Sequence, residues 1–333
     1  MLEYEVMRLT IVTVCMNRRQ HLLSSAAHIA NWPHHHEHLL LDWSSCEPVR
    51  REELPNDSRI SLQRVEGETC WNLCRAYNLA IHLAKGSWLL KLDADCWPGS
   101  FDPTALIMPG TNICWFGSGP NGRIGQFLMH RTAFEAVGGF NEVLVGYGFD
   151  DKDLKARLAS CGWQIKLLPV AAVEVISHSI HERVSQQLTK KQETFALEKA
   201  RSFAERRATA ISNRVAAAHH PWTFYRSPTS YRRLAEGVWQ RREESLPCLD
   251  PHVEAELKHL RRLTFWSHFL EIPELHAKQL PCQILPSDQD GHFTVQWWHR
   301  LYWHILRRLQ RLPLMPLMLL CKLARYFKRD GCD

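Results

Sequence analysis

The sequence of 333 residues has no long apolar run. A membrane-spanning helix needs about 18 or more uncharged apolar residues, and no such stretch occurs. Near the start of the chain, Glu3, Glu5 and Arg8 stand where a secretory signal would be apolar. These absences predict a protein without spanning helices, located in the cytoplasm.

The eleven cysteines show no Cys-x-x-Cys spacing. Cys70 and Cys74 lie four apart without a second pair downstream, and the total is odd. A tetrahedral zinc site normally needs two such pairs, so zinc is not expected. The pattern favours reduced thiols that pack as small apolar side chains, as in cytosolic proteins.

Net positive charge is confined to the C-terminal end. From Trp297 onward there are eight basic and two acidic residues, which accounts for the whole net charge of +6. Residues 1–296 are therefore close to neutral. Because nucleic-acid binding needs a basic surface on the folded domain, we expect no nucleic-acid partner.

Strand and helix patterns alternate over residues 1–185. The run Leu9–Cys15 is apolar and rich in β-branched residues, which predicts a buried strand. Further strand patterns fall near 38–42, 60–65 and 87–92, and helical spacing marks 71–84. This order predicts an α/β fold: a mostly parallel, Rossmann-like sheet flanked by helices.

The chain divides into three predicted regions. Residues 1–185 form the α/β domain, whose second half adds strands near 113–116, 126–130 and 164–175 and a helix over 150–161. Residues 186–296 are predicted to be a mainly helical extension. Residues 297–333 are predicted to be a basic amphipathic tail with helical spacing of its apolar residues.

Carboxylates follow two of the predicted buried strands. Asp42 closes the second strand, and Asp93 and Asp95 close the strand over 87–92. The carboxyl ends of parallel strands share one edge of a sheet, so these acids could surround a nucleotide diphosphate and its metal. Hard oxygens suit Mn²⁺ or Mg²⁺. Arg18 and Arg75 could neutralise phosphate or pair with these acids.

A second acidic cluster begins the predicted helix over 150–161. Asp150 and Asp151 follow Gly146 and Gly148, two glycines that allow close approach of backbone to a ligand. Acids at this position commonly cap a helix. They could equally supply the base that an inverting sugar transfer needs to take a proton from the acceptor hydroxyl.

Five segments together resemble a known family. They are VCMNRRQHL at 14–22, LDWSS at 41–45, RAYNLA at 75–80, GGFNE at 138–142 and GYGFDD at 146–151. In this order they resemble GT-A-fold, family 2-like glycosyltransferases. The later two resemble the C-terminal catalytic segment of β-1,4-galactosyltransferases and polypeptide N-acetylgalactosaminyltransferases. The resemblance covers residues 8–182.

The resemblance implies roles for single residues. Asp42 would contact the nucleotide base, and Asp93 the ribose or diphosphate. Asp95 and His178 would hold the metal, with His181 as the alternative to His178. Asp151 would be the catalytic base. The other implied contacts to the nucleotide sugar or the acceptor are Asn17, Arg18, Arg75, Gly148 and Asp150. Phe149 stands where the family has a second glycine, and Lys152 where it has an acid.

The function implied is an inverting, metal-dependent glycosyltransferase that moves a sugar from a UDP-sugar to a hydroxyl of a glycan or glycolipid. Two alternatives stay open. A nucleotidyltransferase of related topology should carry glycines after its first strand, which the segment 16–19 lacks. A catalytically idle glycan- or membrane-binding protein need not keep Asp93, Asp95 and Asp151.

The tail over 297–333 has two main interpretations. Trp298, Tyr302 and Ile305 fall on one face of a helical pattern, and Arg300 and Arg307 on the other. Such a helix could pack on the catalytic domain. It could also bind an anionic membrane surface on the cytoplasmic side of the plasma membrane, where a lipid-linked glycan acceptor would be met.

Overall fold

The computed structural model describes residues 8–107, 111–119, 122–176, 195–223, 226, 228–243 and 246–269, and six single positions between 305 and 320. Contacts divide these residues into two units. The first contains the described residues within 1–146, 150–189 and 222–248. The second contains those within 147–149, 190–221 and 249–333.

The first unit is built on a nine-stranded sheet with the strand order β10-β11-β3-β2-β1-β4-β7-β6-β8. A separate two-stranded sheet pairs β5 with β9. The strands are β1 Leu9–Cys15, β2 Glu37–Trp43, β3 Ile60–Glu66, β4 Trp88–Lys91, β5 Cys96–Pro98, β6 Ile113–Phe116, β7 Phe127–His130, β8 Gln164–Leu167, β9 Val173–Val175, β10 Tyr231–Ala235 and β11 Val238–Arg241.

Helices of the first unit connect these strands. They are α1 Arg19–Ala30, α2 Leu73–Leu83, α3 Arg131–Ala136 and α4 Asp150–Ser160. The second unit contains α5 Phe195–His219 and α6 Pro251–Phe269, which pack against each other. No helix among the described residues combines the length and apolarity needed to cross a bilayer.

The central strands are parallel and fully buried. β1 pairs in parallel with both β2 and β4, and β2 pairs in parallel with β3. Every residue of β1 and β2 is buried, as expected for strands covered on both faces. The predicted α/β class with a mostly parallel sheet flanked by helices is confirmed.

The sequence missed one edge of this sheet. Residues 222–248, part of the predicted helical extension, belong to the first unit and contain β10 and β11. β11 pairs in parallel with β3, and the Arg64 N–H donates to the Gly237 carbonyl at 2.7 Å. Both strands are short and carry charged side chains, so their alternation is weak. The two-residue turn Glu236-Gly237 was the available signal.

The predicted strand region over 164–175 is also divided. Gln164–Leu167 forms β8 at one edge of the large sheet, whereas Val173–Val175 forms β9 in the small sheet. The predicted helix over 150–161 is present as α4. β9 pairs with β5, and β5 begins directly after Asp95.

Two neutral histidines are buried next to the central strands. His38 is fully buried in β2, and its Nε2 lies 3.2 Å from Thr13 Oγ1. His35 is also buried, with its Nε2 3.9 Å from Asp57 Oδ2. Burial, followed by the charge of Arg59, lowers the pKa of His35 to about 4. Burial, followed by His35, lowers the pKa of His38 to about 3.

The fold should therefore lose stability in mild acid. Below the unfolded pKa of about 6.5, the unfolded chain binds protons that the folded chain excludes. Each histidine should cost about 1.4 kcal/mol of unfolding free energy per pH unit, down to its folded pKa. Urea unfolding between pH 7 and 4.5 measures this loss. His38→Gln should make the free energy of unfolding depend less steeply on pH. His82→Gln, at an exposed position, should leave that pH dependence unchanged. Equal slopes of unfolding free energy against pH in the two variants would contradict the assignment.

Candidate active site

Asp93 is held by side chains from α2, from β4 and from the residue before β7. Its Oδ1 accepts hydrogen bonds from the Tyr77 hydroxyl at 2.9 Å and from Lys91 Nζ at 2.7 Å. Its Oδ2 accepts from Gln126 Nε2 at 2.7 Å, and its own N–H donates to Gln126 Oε1 at 2.9 Å. Burial opposes ionisation, but the Lys91 charge and these hydrogen bonds lower the pKa of Asp93.

Asp95 directly precedes β5 and lies next to the end of β9. It is 7% exposed, and its carbonyl accepts a hydrogen bond from the Ile176 N–H at 2.9 Å. The Cys96 Sγ is 3.6 Å from Asp95 Oδ1, and burial, together with the Asp95 charge, raises the pKa of that thiol well above its usual range. The backbone of Ile176, directly after β9, thus lies next to Asp95.

His178 and His181, the predicted late metal ligands, lie outside the described residues. Within the part of the chain that is described, no three His, Cys, Asp or Glu side chains form a group able to hold a metal. A site built on Asp95 would therefore need a ligand from the segment after Ile176 or from the substrate.

Asp150 and Asp151 begin α4, and Asp150 is electrostatically linked to the end of β4. Burial, the charge of Asp151 and, more weakly, the charge of Asp93 raise the pKa of Asp150 to about 6. The positive charge of Lys91 opposes this rise. Lys91 and Asp93 are therefore within electrostatic range of Asp150, although Asp150 lies far from both in sequence.

Asp42 is buried by its own turn rather than open at the strand end. Its Oδ1 accepts from the Ser45 N–H at 3.0 Å and its Oδ2 from the Val49 N–H at 3.2 Å. Arg64 of β3 adds an ion pair to Oδ2. Every one of these contacts stabilises the loop after β2. The sequence did not identify Arg64, because nothing local marks it as the partner of Asp42.

Asn17 joins the first loop to the loop after β2. Its N–H donates to Ser45 Oγ at 2.9 Å, and its Oδ1 accepts from the Cys46 N–H at 2.8 Å. Asn17 has a φ of 57°, a left-handed conformation that asparagine tolerates well. Arg18 precedes α1, and its carbonyl accepts from the Leu22 N–H at 3.0 Å.

Arg75 pairs with an acid that the sequence did not single out. Its Nη1 lies 3.0 Å from Glu68 Oε1, and the guanidinium carbon lies 5.8 Å from the ring centroid of Trp43. Glu68 is buried and also pairs with Arg241 of β11 at 3.0 Å. Of the two predicted roles of Arg75, the structure shows pairing with an acid, but the acid is Glu68 and not Asp93 or Asp95.

The loop 147–149 belongs to the second unit and is attached there to α5. The Tyr147 carbonyl accepts from Thr209 Oγ1 at 2.8 Å, and the Gly148 carbonyl accepts from Asn213 Nδ2 at 2.8 Å. Gly148 has a φ of +95° and Phe149 a φ of +81°. A left-handed conformation costs a side-chain-bearing residue about 1–2 kcal/mol, which explains why a glycine suits position 149 in the family pattern.

Gly139, in the GGFNE segment, lies against a buried polar cluster. Asn78 Oδ1 accepts from the Phe140 N–H at 2.8 Å, and its Nδ2 donates to Glu142 Oε1 at 2.7 Å. Glu142 Oε2 accepts from the Thr229 N–H at 2.8 Å. Burial, opposed by these hydrogen bonds, raises the pKa of Glu142. The segment therefore links α2 to the stretch before β10.

Substituting Gly139 should be strongly destabilising. A Cβ there would lie 2.5 Å from Asn78 Oδ1, and the φ of +75° disfavours any other residue. Gly139→Ala should lower the unfolding free energy by about 2–4 kcal/mol, because left-handed strain adds to the loss of buried hydrogen bonds. Gly162→Ala is the matched control, since its φ is +87° but no atom lies within 4 Å of the added Cβ. An equal loss of unfolding free energy in the two variants, measured by urea unfolding, would show that backbone strain alone accounts for the effect.

In open, mostly parallel α/β sheets, ligands bind in the crevice at the carboxyl ends of the strands. Residues 119–182 match the family model described as the N-terminal domain of galactosyltransferase. The resemblance predicted from the motifs is confirmed over this segment, and the enzyme class that it implies, a glycosyltransferase, is the class of the matching family. No curated protein matches the sequence significantly.

Solved glycosyltransferase structures are similar to this chain at low identity. The catalytic domain of Drosophila β1,4-galactosyltransferase 7, solved with xylobiose, aligns at 14% identity and a TM-score of 0.45, over 75% of this chain and 98% of that one. The Pyrobaculum calidifontis mannosyltransferase PcManGT, solved with GDP-Man and Mn²⁺, aligns at 13% identity and a TM-score of 0.43, over 96% and 87%.

Proposed function

We propose that the protein is an inverting, metal-dependent glycosyltransferase that moves a sugar from a UDP-sugar to a hydroxyl of a glycan or glycolipid. The observation that carries the proposal is the partly exposed Asp93 carboxylate at the carboxyl end of β4, held by Lys91 and Gln126, together with the family match over the second acidic cluster. The charges of Lys91 and Asp93 also act on the Asp150 carboxyl, so the two acidic clusters influence one another although they are far apart in sequence. One cluster can serve the donor and the other the acceptor. The family match over 119–182 includes the second cluster.

The proposed divalent ion would bind at Asp95. Asp95 supplies a hard carboxylate, and the Ile176 N–H on its carbonyl brings the chain back two residues before His178. A carboxylate and an imidazole, completed by phosphate oxygens of the donor, suit Mn²⁺, and Mg²⁺ is the alternative. Bound there, the ion would offset the negative charge of the departing diphosphate.

The proposed base is Asp151, at the first turn of α4. Its carboxylate would take the proton of the acceptor hydroxyl as that oxygen attacks the anomeric carbon from the side opposite the diphosphate. One bond to the sugar forms while the bond to the diphosphate breaks, which inverts the anomeric configuration. Asp150, with its pKa raised to about 6, and Gly148 would contact the sugars.

The donor nucleotide would bind at the carboxyl ends of β1, β2 and β4. Asp93 keeps 36% of its side chain exposed, so a ribose or diphosphate can reach it. Arg18 would add positive charge from the first loop. Asn17, Asp42 and Arg75, which hold the surrounding loops through the contacts described above, would shape the nucleotide pocket around these groups.

The test is binding and turnover across a panel of nucleotide sugars. Wild-type protein should bind UDP, and hydrolyse or transfer at least one UDP-sugar only when Mn²⁺ or Mg²⁺ is present. Failure to bind any nucleotide sugar with either metal would sink the proposal and favour an idle glycan- or membrane-binding protein. Incorporation of a nucleotide into product would instead identify a nucleotidyltransferase.

We also propose that the tail over 297–333 binds an anionic membrane surface on the cytoplasmic side. Ile305, Leu309 and Leu312 lie at helical spacing in the sequence and are 48%, 54% and 55% exposed. Exposed apolar side chains beside basic ones are typical of interfacial helices. Removing 297–333 should abolish sedimentation with phosphatidylserine vesicles; unchanged sedimentation would disprove this role.

A further inference from the structure

A buried lysine lies directly before the acids of the candidate site. Lys91 is the last residue of β4, and only 3% of its side chain is exposed. Its Nζ donates to Asp93 Oδ1 at 2.7 Å and to the Gly125 carbonyl at 3.0 Å, and lies 4.5 Å from the centre of the Tyr77 ring. An ammonium group has three N–H donors, and these three neighbours can take them all.

Lys91 therefore connects Asp93 to the loop before β7. A buried charge is tolerated only when it is partnered, so the lysine, the carboxylate and the Gly125 carbonyl keep one another in place. Gln126 acts from the other side, where its Nε2 donates to Asp93 Oδ2 at 2.7 Å and to the Gly122 carbonyl at 2.9 Å. The carboxylate is fixed on both sides and still partly exposed.

The charge of Lys91 matters as much as its hydrogen bonds. The candidate site contains four acids: Asp93, Asp95, Asp150 and Asp151. A nucleotide diphosphate is also an anion, so these acids would repel it. The Lys91 charge acts on Asp93 and also on Asp150. It is therefore positioned to offset repulsion between these acids and an anionic donor.

We propose that Lys91 is a positioning residue of the donor site, which fixes the orientation of Asp93 and offsets the carboxylate charge that the donor diphosphate meets. This inference rests on the proposed function. Lys91 would act through Asp93 and would not itself contact the reacting atoms. Lys91→Met should then weaken nucleotide binding, whereas a residue needed only for folding would change the melting temperature and leave the affinity of the folded protein unchanged.

The experiment is calorimetric titration of UDP into the full chain, with EDTA and separately with Mn²⁺. Lys91→Met should weaken UDP binding about 10-fold or more in both conditions, since it leaves the partly exposed Asp93 carboxylate without its cation. Lys91→Arg should recover most of the affinity because it keeps the charge. Lys85→Met is the matched control, an exposed lysine just before the same strand, and should bind UDP like the wild type.

The outcomes separate the two proposals. If the wild type binds no UDP, the proposed function fails and the role of Lys91 fails with it. If the wild type binds UDP and folded Lys91→Met binds it within about 2-fold, the role of Lys91 is overturned while the function stands. Should Lys91→Met not fold, Gln126→Met removes the opposite support of Asp93, and unchanged UDP affinity in that variant would overturn the inference equally.

Discussion

Asp95→Asn should lose about 100-fold or more in kcat/KM for the UDP-sugar, with a large rise in the Mn²⁺ concentration needed for activity. The reason is that a metal stabilises the departing diphosphate only while a charged carboxylate holds it. Asparagine keeps the size of the buried side chain but supplies a neutral oxygen in place of the anion. Initial rates across a Mn²⁺ series, with unfolding curves to show that the variant is folded, measure the effect.

Asp102→Asn is the matched control for this experiment. Asp102 is an exposed acid seven residues further along, whose Oδ1 accepts from the Thr104 N–H at 2.8 Å, a bond that asparagine can keep. It should leave activity and metal dependence unchanged. If Asp95→Asn keeps the wild-type dependence on Mn²⁺, Asp95 is not a metal ligand, and the metal site must be sought elsewhere.

Asp151→Asn should retain donor binding and lose transfer by a factor of about 10²–10⁴. An amide cannot take the proton of the acceptor hydroxyl, but it has nearly the shape of the carboxylate and leaves the start of α4 intact. Two measurements are needed on the same preparation: UDP affinity by calorimetry and transfer rate at saturating donor. Loss of both would move Asp151 from the role of base to a role in donor binding.

Asp150→Asn decides between the two neighbouring acids. Its pKa, raised to about 6 by burial and by Asp151, makes Asp150 a second carboxyl able to exchange a proton near neutral pH. If Asp151 is the base, Asp150→Asn should keep measurable transfer and alter chiefly the dependence of the rate on pH around 6. Transfer abolished by Asp150→Asn and retained by Asp151→Asn would exchange their roles.

The lower stability expected in acid has a bearing on these assays. Because His35 and His38 are neutral only while buried, activity measured below about pH 6 combines the titration of Asp150 with partial unfolding. His38→Gln removes one of these two contributions to acid unfolding and so reduces its overlap with a step in activity near pH 6.

The sequence by itself determined the framework of this protein. Apolar β-branched runs such as Leu9–Cys15 can be satisfied only as buried strands, and helical spacing between them leaves few arrangements other than a parallel sheet. The same order put Asp93 and Asp95 at the end of a strand and Asp150 and Asp151 at the start of a helix. These are local properties, and each is readable within about ten residues.

The tertiary structure alone decided which partners each functional residue has. Lys91 and Gln126 on Asp93, Arg64 on Asp42, and Glu68 between Arg75 and Arg241 were not predicted. Gln126 is 33 positions from Asp93, and Arg241 is 173 positions from Glu68. Such pairs are fixed by strand order and by the need to satisfy buried charge, which act across the whole first unit and leave no periodic trace in the chain.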